Sequence, residues 1–273
     1  MRNPRIGILV VAYNAESTLR QTLHRIPAEL RSRIEEVFVF DDASQDKTHE
    51  VGIACKEEFE GTHLSIYKNP VNLMYGGNQK KGYQYAIDRG LDIVVLLHGD
   101  GQYAPEVMAD LLGPLERGEA ECVMGSRMMI KGAARRGNMP LYKYVGNKIL
   151  TFMENRLIGT KLTEFHSGYR AYSVRALRSI RLEKLTSNWH FDTQIILEFL
   201  KQGNRIAEVP IPTYYGDEIC RVNGIPYAMH CVASALNYAL VHRWRAHDGR
   251  SIKHTLPAEE RPQEQPSTDS AAP

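Results

Sequence analysis

Residues 92–106 read DIVVLLHGDGQYAPE, and their order sets the fold. Ile93–Leu97 is an unbroken aliphatic run. A strand with one face in water alternates apolar and polar residues, whereas a run without alternation is buried on both faces, as in a parallel sheet covered by helices. The run stops at once in His98, Gly99, Asp100, Gly101 and Gln102. A buried strand that carries an imidazole and a carboxylate to its carboxyl end, among glycines, is a rigid mount for a ligand site.

The same pattern repeats on either side. IGILVVAY (6–13), EEVFVFDDAS (35–44), LSIYKNP (64–70) and AECVMGSRM (120–128) read as further strands, with helical segments at 16–27, 46–59, 76–90 and 104–118 between them. The alternation predicts an α/β fold, a mostly parallel sheet with helices on both faces, whose ligands bind outside the carboxyl ends of the strands. Those ends carry Tyr13-Asn14, Asp41-Asp42, His98-Gly99-Asp100 and Gly125-Ser126-Arg127, so polar residues converge on one edge.

Beyond residue 128 the chain changes character. Residues 129–147 form a glycine-rich, basic stretch leading into a helix, and the Gly and Arg content of 129–138 predicts a segment that orders over a bound ligand. Residues 162–173 read as a loop and strand, 189–203 as an amphipathic helix, and 205–216 as a strand whose prolines place it at a sheet edge. Pro226 opens a helix to about Arg245. Met229, Val232, Ala233, Leu236 and Leu240 make one apolar stripe on it, with Tyr227, Cys231, Tyr238 and Val241 beside them. Such a stripe packs on its own domain, or lies in a lipid interface with Arg243 and Arg245 at its edge. Residues 246–273, rich in Pro, Glu and Ser, predict a disordered tail.

The chain has 273 residues and a formal charge of +2, which gives no support for a general nucleic-acid binder. Cys55, Cys122, Cys220 and Cys231 lack metal-ligand spacing and read as buried thiols in a reducing compartment. No stretch has the run of roughly 18 apolar residues that a spanning helix needs, and the N-terminal apolar run is too short for a signal peptide. The expectation is a cytoplasmic protein, able to rest on the membrane face as a peripheral one.

Several segments carry chemistry. In FDDASQDKT (40–48) adjacent carboxylates point to opposite sides if the strand persists, so one can cap the next element while the other faces a ligand. His98 and Asp100, two residues apart at a strand end, suit a divalent cation holding a diphosphate; imidazole favours Mn²⁺ over Mg²⁺. Gly76 and Gly77 next to a helix start allow close approach of backbone to an anion. Neither a P-loop nor a GxGxxG fingerprint is present, which removes the usual support for ATPase and NAD readings.

Taken in order, VVAYNAE (10–16), VFDDASQDKT (39–48), NLMYGGNQKKGY (72–83), LLHGDGQYAPE (96–106), VMGSRM (123–128) and SGYRAYS (167–173) resemble family 2 glycosyltransferases of the GT-A fold, above all the dolichol- and polyprenol-phosphate sugar synthases. The resemblance runs from about residue 5 to about 225 and implies one domain over 1–245: a nucleotide-binding half (1–128), an acceptor half (129–225) and the C-terminal helix (226–245). It implies that Ala12, Tyr13, Asn14, Glu16 and Asp42, with Gly76, Gly77 and Lys80, hold the nucleotide-sugar. Asp100 matches the last Asp of the family's metal-binding DxD motif, and His98 stands where the family commonly has the first; Gly99 lies between them and Gln102 nearby. Arg127, Arg135, Arg136 and Arg170 resemble phosphate contacts of donor and acceptor, and Arg221 resembles an arginine that closes over the donor diphosphate.

The implied reaction is inverting, Mn²⁺- or Mg²⁺-assisted transfer of a hexose from a UDP- or GDP-sugar to a polyprenyl phosphate, with Asp100, Arg127 and Asp192 as the catalytic set. Arginines and a metal aimed at the leaving phosphate supply electrostatic stabilisation. A phosphate acceptor is already an anion and needs no general base; a hydroxyl acceptor, soluble or on a protein or glycan, needs one, and Asp192 in WHFDTQ (189–194) is the candidate. A third reading is a non-catalytic nucleotide-sugar binding module.

Overall fold

The structure, a computed structural model, describes residues 3–215 and 222–242. Seven strands form one sheet: β1 (Ile6–Ala12), β2 (Ile34–Asp41), β3 (His63–Lys68), β4 (Ile93–His98), β5 (Cys122–Ser126), β6 (Arg170–Ser173) and β7 (Ile206–Pro210), in the order β3-β2-β1-β4-β6-β5-β7. All pairings are parallel except those of β6, which runs antiparallel to both β4 and β5. The helices are α1 (Leu19–His24), α2 (Ala28–Arg31), α3 (Thr48–Glu58), α4 (Met74–Asp88), α5 (Met108–Glu116), α6 (Ala133–Arg136), α7 (Leu141–Ile158), α8 (Val174–Arg178), α9 (Phe191–Lys201) and α10 (Gly224–His242).

The unbroken aliphatic runs do what their lack of alternation requires. In β1, Ile8 and Val10 enter one core with Leu23 of α1, Cys55 of α3 and Leu111 of α5, while Leu9 enters the opposite core with Tyr83 of α4, Leu177 of α8 and Phe199 of α9. Each fully buried aliphatic stabilises the fold by about 1.5–3 kcal/mol relative to exposure, so both faces of every central strand favour this arrangement.

Register then levels the strand ends. Ala12 lies opposite Asp41, and Val11 opposite His98. Asp42 N donates to Ala12 O (2.8 Å) and Gly99 N to Val11 O (2.9 Å), which continues the ladder one residue into each loop. β1 sits between β2 and β4, so chain order reverses there, and a crevice opens at the carboxyl ends of these strands. The antiparallel β6 adds a second source of rim residues: Arg170, its first residue, pairs with Leu96 and Met124, so the segment before it arrives at the same rim.

Two expectations are revised. The basic stretch 129–138 contains a helical turn, α6, rather than a bare loop. Of the two readings of the α10 stripe, packing on its own domain fails, because the stripe is the outer face: Met229, Leu236 and Leu240 are exposed, while Cys231 and Ala235 are buried and Tyr227 and Tyr238 are partly covered. Partners decide the difference. Thr193 of α9 donates to Cys231 Sγ (3.3 Å), and Tyr227 OH meets His166 Nδ1 (2.9 Å), so the polar-capable face turns inward. β7 lies at the sheet edge, as its proline predicts. Cys55, Cys122 and Cys231 are buried free thiols. Among the described residues no helix is long and apolar enough to cross a membrane. The expected tail, Cys220 and Arg221 lie outside the described residues.

Candidate active site

The rim begins where β1 and β2 end. Tyr13 is exposed and Ala12 buried. Asn14 N donates to Ser44 Oγ (2.8 Å) and Asn14 Oδ1 accepts from Gln45 N (3.0 Å); Glu16 Oε2 accepts from Lys47 N (3.2 Å). Asn14 and Glu16 thus stitch the β1 loop to the β2 loop. Both aspartates are buried, and each accepts from the chain. Asp41 accepts from Ser44 N (3.0 Å) and closes its own turn, while Asp42 Oδ1 accepts from Leu73 N (2.8 Å) and Asn69 Nδ2 (2.9 Å). Asn14 and Ala43, in loops on this rim, and Met74, the first residue of α4, hold left-handed backbone with φ of 50°, 59° and 67°. Each costs roughly 1–3 kcal/mol, and such strain clusters at functional sites.

Asp42 fixes the residues before α4, and these deliver a side chain the sequence reading left unassigned: Tyr75. Its hydroxyl donates to Asp192 Oδ2 (2.7 Å) and lies 3.5 Å from His98 Nε2. Trp189 stacks on its ring at 4.6 Å. Burial and the neighbouring Asp192 raise the Tyr75 pKa well above its ordinary value, so the phenol keeps the proton it donates. His98 stands edge-to-face between Tyr75 (5.6 Å) and Tyr103 (5.2 Å). Burial pushes its imidazole below the ordinary value, against the pull of Asp100 and Asp192, so it is neutral at pH 7. Asp100 is exposed, and its Oδ1 accepts from Gln102 N (3.0 Å).

These residues form one connected group. Gly168 packs on the His98 ring; a Cβ there would stand 2.7 Å from Nε2. Gly168 N donates to Tyr103 OH (2.7 Å). Two residues earlier, His166 O accepts from Arg127 at the end of β5 (3.3 Å). Asp42, His98, Asp100, Asp192 and Arg127 therefore border a common rim rather than separate surfaces.

Three arginine and lysine assignments change. Arg170 is fully buried: Nε donates to Ser167 O (2.8 Å), and its terminal nitrogens donate to Asp192 O (2.8 Å) and Phe165 O (2.7 Å), 3.8 Å from the Asp192 carboxylate. It binds chain to chain and reaches no phosphate. Arg127 is buried against Glu164, which accepts from its Nε (3.0 Å) and backbone N (2.7 Å), and Tyr215 OH accepts from the far side (3.0 Å). Burial opposes both charges, yet each partner holds the other ionised. Lys80 Nζ donates to Leu185 O (2.8 Å) and Ser187 Oγ (3.1 Å) and ties α4 to the loop before α9. Gly76 serves packing: a Cβ would fall 2.6 Å from Phe191 Cβ, and its N donates to Ser187 O (2.7 Å). Gly77 meets Leu73 and Ser187, and Gly99 meets Ala12 and Leu19, in the same manner.

Arg135 and Arg136 are exposed on α6. Beside them a cavity of about 100 Å³ is lined by Arg127, Met129, Lys131, Gly132, Tyr144 and Lys148. Of the two ammonium groups bordering it, Lys131 lies in the basic stretch 129–138 and Lys148 just beyond residue 147; neither was named as a site residue from the sequence.

Comparison with known proteins gives the same frame. Residues 7–181 match the family described as Glycosyl transferase family 2. The UDP-N-acetylglucosamine–dolichyl-phosphate N-acetylglucosaminyltransferase of Methanococcus voltae is 29% identical over 225 residues, covering 79% of this chain and 88% of that protein. The undecaprenyl-phosphate mannosyltransferase of Micrococcus luteus is 30% identical over 210 residues, covering 76% and 82%. Among solved structures, glucosyl-3-phosphoglycerate synthase from Mycobacterium tuberculosis, in complex with Mn²⁺, UDP-glucose and phosphoglyceric acid, superposes with a TM-score of 0.62 at 18% identity, over 86% of this chain and 80% of that one. The shared architecture is the GT-A fold.

Proposed function

The chain belongs to glycosyl transferase family 2 and is a glycosyltransferase, and from that premise we propose that it moves a hexose, with inversion, from a UDP- or GDP-sugar to a polyprenyl phosphate of the dolichyl type. The observation that carries the acceptor class is the state of Asp192. Its Oδ2 accepts from Tyr75 OH (2.7 Å), its Oδ1 lies 3.4 Å from Gln79 Nε2, and Arg170 stands 3.8 Å away. A carboxylate so engaged positions its neighbours instead of taking a proton, which suits an acceptor that arrives ionised. The names of the two sequence relatives support the same class.

In this reading Tyr13 offers an exposed ring to the base, while Asn14, Glu16 and Asp42 hold the loops that shape the nucleotide crevice. Asp100 fits a hard divalent cation, since its carboxylate is exposed and is held by the backbone amide of Gln102 alongside. Its neighbour His98 turns Nε2 to Tyr75 and Gly168, so any metal bond from this ring runs through Nδ1. Mn²⁺ or Mg²⁺ bound there with the donor diphosphate would neutralise charge on the leaving phosphate. Lys131 and Lys148, which line the small cavity, receive the acceptor phosphate, with Arg135 and Arg136 exposed on the adjoining α6. Arg127 acts at one remove, through Glu164, by holding the wall of that cavity.

The test is a product assay. UDP-N-acetylglucosamine, UDP-glucose and GDP-mannose are each offered with a short polyprenyl phosphate or the corresponding alcohol. Sugar on the phosphate is the expected product. Transfer to the alcohol or to a soluble hydroxyl, with none to the phosphate, would overturn the acceptor assignment and return Asp192 to the role of base.

A further inference from the structure

The outer faces of α7 and α10 are more apolar than a solvated surface requires. On α7, Leu141, Val145, Ile149 and Phe152 recur at helical spacing and all are exposed, Phe152 by 69%. On α10, Met229, Leu236 and Leu240 do the same, with Met229 exposed by 68% and Leu240 by 72%. On each helix these residues lie opposite the buried ones, Leu150, Glu154 and Ile158 on α7 and Cys231 and Ala235 on α10. The two helices pack on one another, so the stripes belong to one layer of the molecule. Exposed apolar stripes on two helices packed side by side mark an interaction site.

Charge identifies the occupant. The exposed charges of α6 and α7 are Arg135, Arg136, Lys148 and Arg156, and the one acid of α7, Glu154, is fully buried. Within Gly224–His242 there is no Asp, Glu, Lys or Arg. An apolar face with a rim of one sign is complementary to an anionic surface whose interior is hydrocarbon. A second copy of the chain meeting this face about a two-fold axis would set like charges against each other. Both helices also touch the site. Asn147 of α7 donates to Glu164 Oε1 (2.8 Å), and His230 of α10 stacks on His190, two residues before Asp192 (4.7 Å).

We infer that α7 and α10 together form a docking surface for an anionic lipid bilayer, with their apolar stripes in the interface and the basic rim at the headgroups. The inference rests on the proposed lipid-phosphate acceptor and adds to it the face by which the enzyme meets the membrane. Docking there puts Lys131 and Lys148 at headgroup level, where a lipid-borne phosphate enters sideways without its chain leaving the bilayer.

The experiment is flotation of the full chain with vesicles of phosphatidylcholine alone or mixed with phosphatidylglycerol. The protein floats with the mixed vesicles, less so at raised salt, and much less with phosphatidylcholine alone. Phe152→Glu and Leu240→Glu each lower the bound fraction at least about tenfold with unchanged circular dichroism. Ile53→Glu, an exposed position on α3 across the sheet, leaves it intact. A wild-type chain that stays unbound overturns the inference, as does light scattering that shows a dimer broken by the same two variants. Transfer to a short, water-soluble polyprenyl phosphate separates this from the acceptor assignment. Transfer without flotation leaves the acceptor assignment standing and sinks the docking surface, and flotation without transfer does the reverse.

Discussion

Tyr75 and Asp192, 117 residues apart in the chain, share a hydrogen bond of 2.7 Å that ties the start of α4 to the start of α9 at the rim of the sheet. Through it His98, at the end of β4, gains a neighbour that is itself fixed. Tyr75→Phe removes the donor and leaves Asp192 Oδ2 short of a partner. Stability falls by about 1–3 kcal/mol, measured by urea denaturation, and transfer slows with a larger effect on kcat than on KM. A variant equal to wild type in both would show that the contact positions nothing.

The buried pair of Arg127 and Glu164 predicts a larger effect. Glu164→Gln leaves the guanidinium without its countercharge in a dry site and costs about 3–5 kcal/mol. A double-mutant cycle with Arg127→Met checks it: the double variant recovers much of the loss, because no unpaired charge remains. Additive losses would mean that the two groups do not depend on each other.

Burial lowers the pKa of His98, and burial with His230 lowers that of His190. The unfolded chain takes up both protons near the ordinary value of about 6.5, whereas the folded chain resists them. Their stabilising contribution is complete above that value and is lost as pH falls through the folded values. Thermal unfolding followed between pH 7.5 and 5.5 should show stability declining on the acid side, with a shallower decline in His190→Gln. An unchanged slope in that variant would remove His190 from the account.

Asp100 separates ligand binding from folding. Because it is exposed, Asp100→Asn should change the stability of the unliganded chain by less than about 0.5 kcal/mol. The thermal shift produced by UDP or GDP with Mn²⁺ should disappear, since a native-state ligand stabilises by mass action. A full shift in the variant would place the cation elsewhere.

The strands and the rim were legible in the sequence because burial on both faces writes itself as unbroken aliphatic runs, and Ile93–Leu97 is the plainest of them. The two-residue period of a strand separated the partners of Asp41 and Asp42, although both sets of partners are protein groups rather than one being a ligand. The arginines misled for a physical reason. Sequence shows a cation but not its countercharge, and Glu164 and Asp192, which claim Arg127 and Arg170, lie 37 and 22 residues away. Tyr75 was hidden because an aromatic before two glycines reads as packing until Asp192 stands beside it. On α10 hydropathy marked Met229, Leu236 and Leu240 as one stripe without deciding which way it faces, whereas the smaller Cys231 and Ala235 fit the narrow seam against α7 and α9.

The reversed direction of β6 separates two tasks along the chain. In the proposed reading nucleotide recognition draws on loops after β1, β2 and β4, all within the first hundred or so residues, while the facing wall comes from 162–168, fed in backwards by a single strand. On that reading a substitution in the later segment would reshape what the enzyme accepts without moving the backbone that grips the donor, and one scaffold would be refitted to new recipients through a stretch of seven residues.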